Sequence, residues 1–182
     1  ENFSDLRNQR VGKENSKPLK IFGDYMFGEI CEMHPLLTPK LTNATIKRAV
    51  DDYLNGGARK QRVVIKYGEI SNWDVSNVTD MWNMFRFAES FNQPLDNWNV
   101  SNVWCMNSMF RNARSFNQPL NNWNVSNVTT MNSMFDGAIS FNQPLNNWNV
   151  SKVTNMRYMF DYSESFNQPL NKWNVSNVTN ME

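Results

Sequence analysis

Histidine and cysteine are nearly missing from this 182-residue chain, which has one His and two Cys. The single imidazole, His34, supports no Ser/His/Asp arrangement, and no catalytic residue is assigned. Cys31-x-x-His34 has the spacing of half a metal site, but no second half is evident, so neither metal nor cofactor is expected. Cys31 and Cys105 are too few for a small secreted disulfide scaffold, and free thiols are expected. No apolar run approaches the length of a membrane-spanning helix, so no membrane span is expected in this stretch. An excess of one charge is also lacking, because the formal net charge is +1. No global field draws the chain to nucleic acid or anionic lipid, and no nucleic-acid partner is expected. Residues 1–70 carry 12 Lys+Arg against 9 Asp+Glu, and residues 71–182 carry 6 against 8, an asymmetry too slight to name a partner. The chain starts at Glu1 and stops where a further repeat is beginning, and so reads as an internal fragment.

What is present is a 25-residue period. Trp73, Trp98, Trp123, Trp148 and Trp173 mark it, as do Val75, Val100, Val125, Val150 and Val175 two residues later. A fixed period of this length indicates one unit stacked on copies of itself, since no unit buries its apolar face alone. One unit reads Leu95-x-x-Trp98-x-Val100-x-x-Val103-x-x-Met106-x-x-Met109-Phe110-x-x-Ala113-x-x-Phe116, followed by Gln118-Pro119 and the next Leu120. Trp98 and Val100 alternate, which predicts a short strand. Val103 to Ala113 step by three and four, which predicts a helical or 3-10 return limb. Pro119 lacks an amide hydrogen and biases Gln118 towards an extended turn.

Ahead of the repeats, residues 1–40 lack periodicity and read as an extended arm. Its segment IFGDYMFGEI, residues 21–30, is apolar and aromatic enough to pack on something. Residues 42–56 carry a helix signal: Thr42 or Asn43 as cap, Ile46, Val50, Tyr53 and Leu54 on one face, and Asn55-Gly56 as stop. ARKQRVVIKYG fits a strand by its β-branched run and a short helix by its final Gly68. Residues 41–68 are read as a helical cap over the first coil, and residues 69–182 as about five repeats, the last one partial.

The pattern LxxWxVxxVxxMxxMFxxAxxF resembles a leucine-rich repeat of the BspA-like type. FNQPLNNWNVSNVTTM is similar to the 25-residue repeat of bacterial surface proteins and lipoproteins, also found in protists and large DNA viruses. TNATIKRAVDDYL followed by YGEISNWDVSNVTDM resembles the junction between cap and first repeat in such proteins. The resemblance implies a right-handed leucine-rich-repeat-like solenoid, a role in binding or surface structure, and no catalytic residues. Val103 and its equivalents stand where many leucine-rich repeats place a buried Asn, so the usual Asn ladder does not carry over there, nor does Asn102 inherit it.

Comparison of the copies separates an invariant skeleton from a variable sector. Trp, Val, Met, Phe, Pro and Leu recur unchanged and are assigned to the core. Variation gathers on the return limb at Trp82, Arg86, Phe87, Arg111, Arg114, Asp136, Arg157, Tyr158, Asp161 and Tyr162. A surface released from core duty drifts freely, but aromatic and arginine side chains are also typical of interfaces. A second candidate surface is the polar stripe alternating with the core: Asn97, Asn99, Asn122, Asn124, Asn147, Asn149, Lys172 and Asn174. It is expected on the concave side, where amides either bind glycan or peptide backbone or bond to one another along the stack. Sequons recur within NVSNVT at Asn77, Asn99, Asn124, Asn127, Asn149, Asn174 and Asn177, and glycans there would cover this stripe. Trp104 and Cys105 interrupt the repeat, which reads as a local packing adjustment.

Together these features point to a non-enzymatic protein- or glycan-interaction module at a cell surface or in a virion. The alternative is a structural component of a large assembly such as a capsid or envelope layer, contacting neighbouring subunits.

Overall fold

A computed structural model describes residues 38–182, and residues 1–37 of the arm, with the 21–30 segment and Cys31-x-x-His34, lie outside the described residues. Helix α1 spans Asn43–Leu54 and helix α2 spans Gly57–Tyr67. Thr42 is the N-cap of α1, and its N–H donates to the Thr45 hydroxyl at 3.0 Å. Ile46, Ala49, Val50 and Tyr53 form the buried face of α1. The segment open to strand or helix is α2, which buries Val63 and Tyr67 and ends at Gly68 with φ 77°. A short 3-10 turn, Ile70–Asn72, then leads into the repeats.

The helices take the place of a preceding coil. The rings of Tyr53 and Tyr67 lie 5.8 and 6.1 Å from that of Trp73. The Asn43 carboxamide oxygen accepts from the Thr79 N–H at 2.9 Å, and its Nδ2 donates to the Thr79 hydroxyl at 2.8 Å. The Leu41 N–H donates to the Asp74 carbonyl at 2.9 Å.

The expected leucine-rich-repeat-like solenoid, with a strand and a helical return limb in each unit, is not what these residues form. Among the described residues there is no strand, and no α-helix lies beyond Tyr67. The reason lies in where the backbone hydrogen bonds go. In the Leu-x-x-Trp-x-Val segment the Trp98 N–H donates to Leu95 and the Val103 N–H to Val100, at 3.0 and 2.9 Å. Two tight turns thus occupy groups that a ladder would need. Side chains make the inter-coil bonds there instead. Asn102 Nδ2 donates to the Ser76 carbonyl and the Trp98 indole to the Ile70 carbonyl, at 2.9 and 2.7 Å. Asn127 and Asn177 repeat the Asn102 bond, so an asparagine ladder does form beside the valine, on the surface.

The return limb fails as a helix because its N–H groups point to the next coil. Those of Asn83, Phe85 and Phe87 donate to the carbonyls of Asn107, Met109 and Arg111. Between them, Met84, Arg86 and Ala88 close tight turns onto Met81, Asn83 and Phe85. Three- and four-residue steps of buried side chains therefore arise from consecutive turns. Extended pairing shrinks to single-residue parallel bridges at Asp80, Cys105, Thr130, Asn155 and Asn180.

Aromatic side chains set the coil spacing. Phe85, Phe110, Phe135 and Phe160 stack in a row at 5.4 to 5.7 Å. Phe91, Phe116, Phe141 and Phe166 form a second row at 6.0 Å. Within a coil the rows interlock, with Phe110 and Phe116 4.1 Å apart. Each buried ring contributes about 1.5–3 kcal/mol by leaving water, and each ring pair adds about 0.5–1.5 kcal/mol.

Candidate functional site

The turn chain of the return limb dictates the site. It places two residues per coil in the left-handed region: Asn83, Ser108, Ser133 and Tyr158 in one row, and Phe87, Asn112, Gly137 and Tyr162 in the next. Asn and Gly suit this conformation, whereas a bulky side chain there costs about 1–2 kcal/mol. Phe87, Tyr158 and Tyr162 occupy it at φ 62°, 54° and 51°. They recover little by burial, being 57%, 39% and 71% exposed.

Cations shelter three of the four sector aromatics. Lys47 Nζ lies 4.6 Å from the centre of the Trp82 ring. The Arg86 guanidinium lies 4.8 Å from that of Phe87, and Arg157 lies 4.5 Å from that of Tyr158. Arg157 also donates to the Tyr158 hydroxyl at 2.7 Å and pairs with Glu182 at 2.8 Å, and both raise its pKa. The structure thus gathers Trp82, Arg86 and Phe87 on the first coil and Arg157, Tyr158, Asp161 and Tyr162 on the fourth. Between them the floor is low, made by Asn112 and Gly137. A Cβ on Gly137 would strike the Asn112 carboxamide.

Not every sector residue faces outward. Asp136 is buried, and its carboxylate lies 3.0 Å from Arg111 Nε without an aligned N–H. Burial pushes the Asp136 carboxyl up, against the pull of Arg111. Arg114 stands 3.9 Å from Glu89.

The polar stripe is exposed at all eight predicted positions. Much of its hydrogen-bonding capacity is used locally. Asn99 Oδ1 accepts from the Ser101 N–H and hydroxyl, and Asn124, Asn149 and Asn174 close the same turn. Sequence reasoning missed a further row. Asn92, Asn117 and Asn142 each accept, through Oδ1, from the backbone N–H one coil on and from the following Gln side chain. The invariance of Asn-Gln-Pro was the signal for it. Trp104, read as a packing adjustment, is 49% exposed where other copies place Thr.

An apolar cleft of ≈ 630 Å³ opens on the last coils, lined by Met156, Met159, Phe160, Trp173 and Met181 among others. These are the side chains that interior coils cover with the next coil, so the stacking register accounts for its apolar character. Among the described residues no group of His, Cys, Asp and Glu could hold a metal ion. No described helix is long and apolar enough to cross a membrane.

Stacked turns, side-chain ladders and a variable outer sector define a tandem-repeat protein. Residues 65–129 and 96–182 match the family described as Mycoplasma protein of unknown function, DUF285, and the chain belongs to this family. No curated protein and no solved structure matches it.

Proposed function

We propose that this chain is a non-enzymatic interaction module, related to the BspA-like surface proteins, that recognises a protein or glycan through its variable sector. One observation carries the reading. Phe87, Tyr158 and Tyr162 adopt a conformation that disfavours them while remaining exposed. The sites equivalent to Phe87 and Tyr162 are met by Asn112 and Gly137, and the one equivalent to Tyr158 by Asn83, Ser108 and Ser133. Burial gives these aromatics little in return, and backbone strain of this kind gathers at functional sites. Exposed aromatics beside arginines are also the usual anchors of binding energy. The polar stripe is a weaker candidate, because its amides bond within their own turns and vary little from coil to coil.

The test is crosslinking capture from the native source together with a glycan array. The unaltered chain is compared with Trp82→Ala, Phe87→Asn and Tyr158→Ala. Loss of a captured species at unchanged thermal stability supports the reading. Identical capture by all four proteins overturns it.

A further inference from the structure

The sector has a pattern along the stack that a general binding surface would not need. Its charged row reads Arg86, Arg111, Asp136 and Asp161, one residue per coil. Its left-handed row reads Phe87, Asn112, Gly137 and Tyr162. The first row is two cations followed by two anions, and the second is an aromatic at each end with small residues between. The inner charges neutralise each other, since Arg111 lies 3.0 Å from Asp136. The outer ones do not. Arg86 and Asp161 are exposed, and neither has an ion-pair partner among the described residues.

Turned end for end, this pattern is its own complement. We infer that the variable sector binds the same sector of a second copy, with the two stacks antiparallel about a two-fold axis. The axis lies in the interface and runs along the coils, between the second and the third. It sets Arg86 opposite Asp161 of the other copy, Phe87 opposite Tyr162 and Trp82 opposite Arg157, each pair occurring twice as an isologous interface requires. The low floor at Asn112 and Gly137 lets the two surfaces approach in the middle. A parallel pairing is excluded by charge, because it would set Arg86 on Arg86 and Asp161 on Asp161. Two like-charge meetings remain: Lys47, on the Trp82 ring, faces Arg157, whose charge Glu182 offsets at 2.8 Å, and Glu89 faces Glu164. The second falls at the margin, where Arg114 stands 3.9 Å from Glu89. A four-coil face is small for an interface, so pairing depends on concentration and weakens with salt.

This inference rests on the sector being a binding surface and goes beyond that reading in naming the occupant. The test is sedimentation velocity on the full 182-residue chain over a concentration series. The chain is expected to move from monomer to dimer. Arg86→Asp and Asp161→Arg should each weaken the dimer by at least about ten-fold, since each juxtaposes like charges twice. An equimolar mixture of these two variants should dimerise again, because each reversed charge then meets its opposite. The double variant should also self-associate. Unchanged circular dichroism and melting temperature in all variants verify the fold. A chain that stays monomeric, a dimer indifferent to either reversal, or a mixture that fails to restore pairing overturns the inference. If the chain stays monomeric while sector variants still lose a crosslinked partner or glycan, self-pairing falls and the interaction reading stands. If the charge swap restores pairing and no other partner is captured, the second copy is itself the partner.

Discussion

The indole N–H of Trp123 donates to the carbonyl of Leu95, one coil earlier, at 2.9 Å. Trp98, Trp148 and Trp173 repeat this bond onto Ile70, Leu120 and Leu145. The tryptophan therefore pins each coil to its predecessor in a segment where backbone bonds do not. Trp123→Phe removes the bond but keeps a ring, and is expected to cost about 1–2 kcal/mol, since Leu95 still accepts from the Trp98 N–H. Trp123→Ala also leaves a cavity and should cost about 3–5 kcal/mol. Trp173→Ala should cost less, because Trp173 is only partly buried. Urea titration ranks the three, and equal costs for Trp123→Ala and Trp173→Ala would contradict this account.

The left-handed row gives an opposed pair of expectations. Gly137→Ala should destabilise by more than about 1 kcal/mol, because φ is 68° and the new Cβ meets the Asn112 carboxamide. Phe87→Asn and Tyr162→Asn should leave stability unchanged or raise it by up to about 1 kcal/mol, since Asn tolerates that conformation. Thermal melts of the three variants decide it. A clear loss at Phe87→Asn would mean that the ring supports the fold and is not free for a partner.

This row also shows what could be read from the sequence and what could not. The period and most of the core were legible because Trp98, Val100, Met106 and Phe110 recur unchanged and are all buried, whereas Pro119, assigned to the core with them, is exposed. The chain path was not. Trp98 and Val100 alternate as a strand would, but the turns that produce the alternation take the strand's own hydrogen bonds. Val103 to Ala113 step as a helix would, but Ser108 and Asn112 turn left-handed inside the steps. Asn and Gly at two of four equivalent positions hinted at that conformation, while Phe87 and Tyr162 in the other copies concealed it. The sector itself was visible as variation, but the burial of Asp136 within it was not, because burial there follows from the local path of the chain.

Asn117 links three coils. Its N–H donates to Asn92 Oδ1 at 2.9 Å, and its own Oδ1 accepts from the Asn142 N–H and from Gln143 Nε2, both at 3.0 Å. Asn117→Ala leaves the Asn142 N–H unpaired, while Gln143 Nε2 keeps the Asn117 carbonyl at 3.2 Å, and should cost about 1–3 kcal/mol. Asn117→Asp keeps the acceptor and should be milder. Guanidinium unfolding of both variants tests the order, and an Asp variant as unstable as the Ala variant would show that the carboxamide donors matter more.

Cys105 is a buried free thiol where the next copy has Thr130. Burial pushes its pKa up, which suppresses the reactive thiolate. In a Cys31→Ser background, modification by a disulfide reagent should proceed only as fast as the coil opens, and mild denaturant should accelerate it. Rapid stoichiometric labelling of the native chain would show an accessible thiol instead.

Asp136 gives a pH dependence whose sign can be fixed. Its folded-state pKa lies above the ordinary carboxylate value of 3.8, chiefly through burial, with Arg111 too poorly aligned to reverse the effect. The protonated form is therefore the better accommodated one. Its contribution to stability is complete below the unfolded pKa and is lost as pH rises through the folded one. Asp74 acts in the opposite sense. A bond from Ser76 lowers its pKa, aided by Lys40, so its contribution is present above the ordinary range and lost as pH falls. The two partly cancel in the intact chain, and only a difference measurement separates them. Unfolding free energies of the native chain and Asp136→Asn, taken from pH 3.8 upward, should diverge in the direction of a native chain that loses stability relative to the variant. Parallel curves would mean that Asp136 titrates as it does unfolded. Curves diverging the other way would mean that the Arg111 pair outweighs burial.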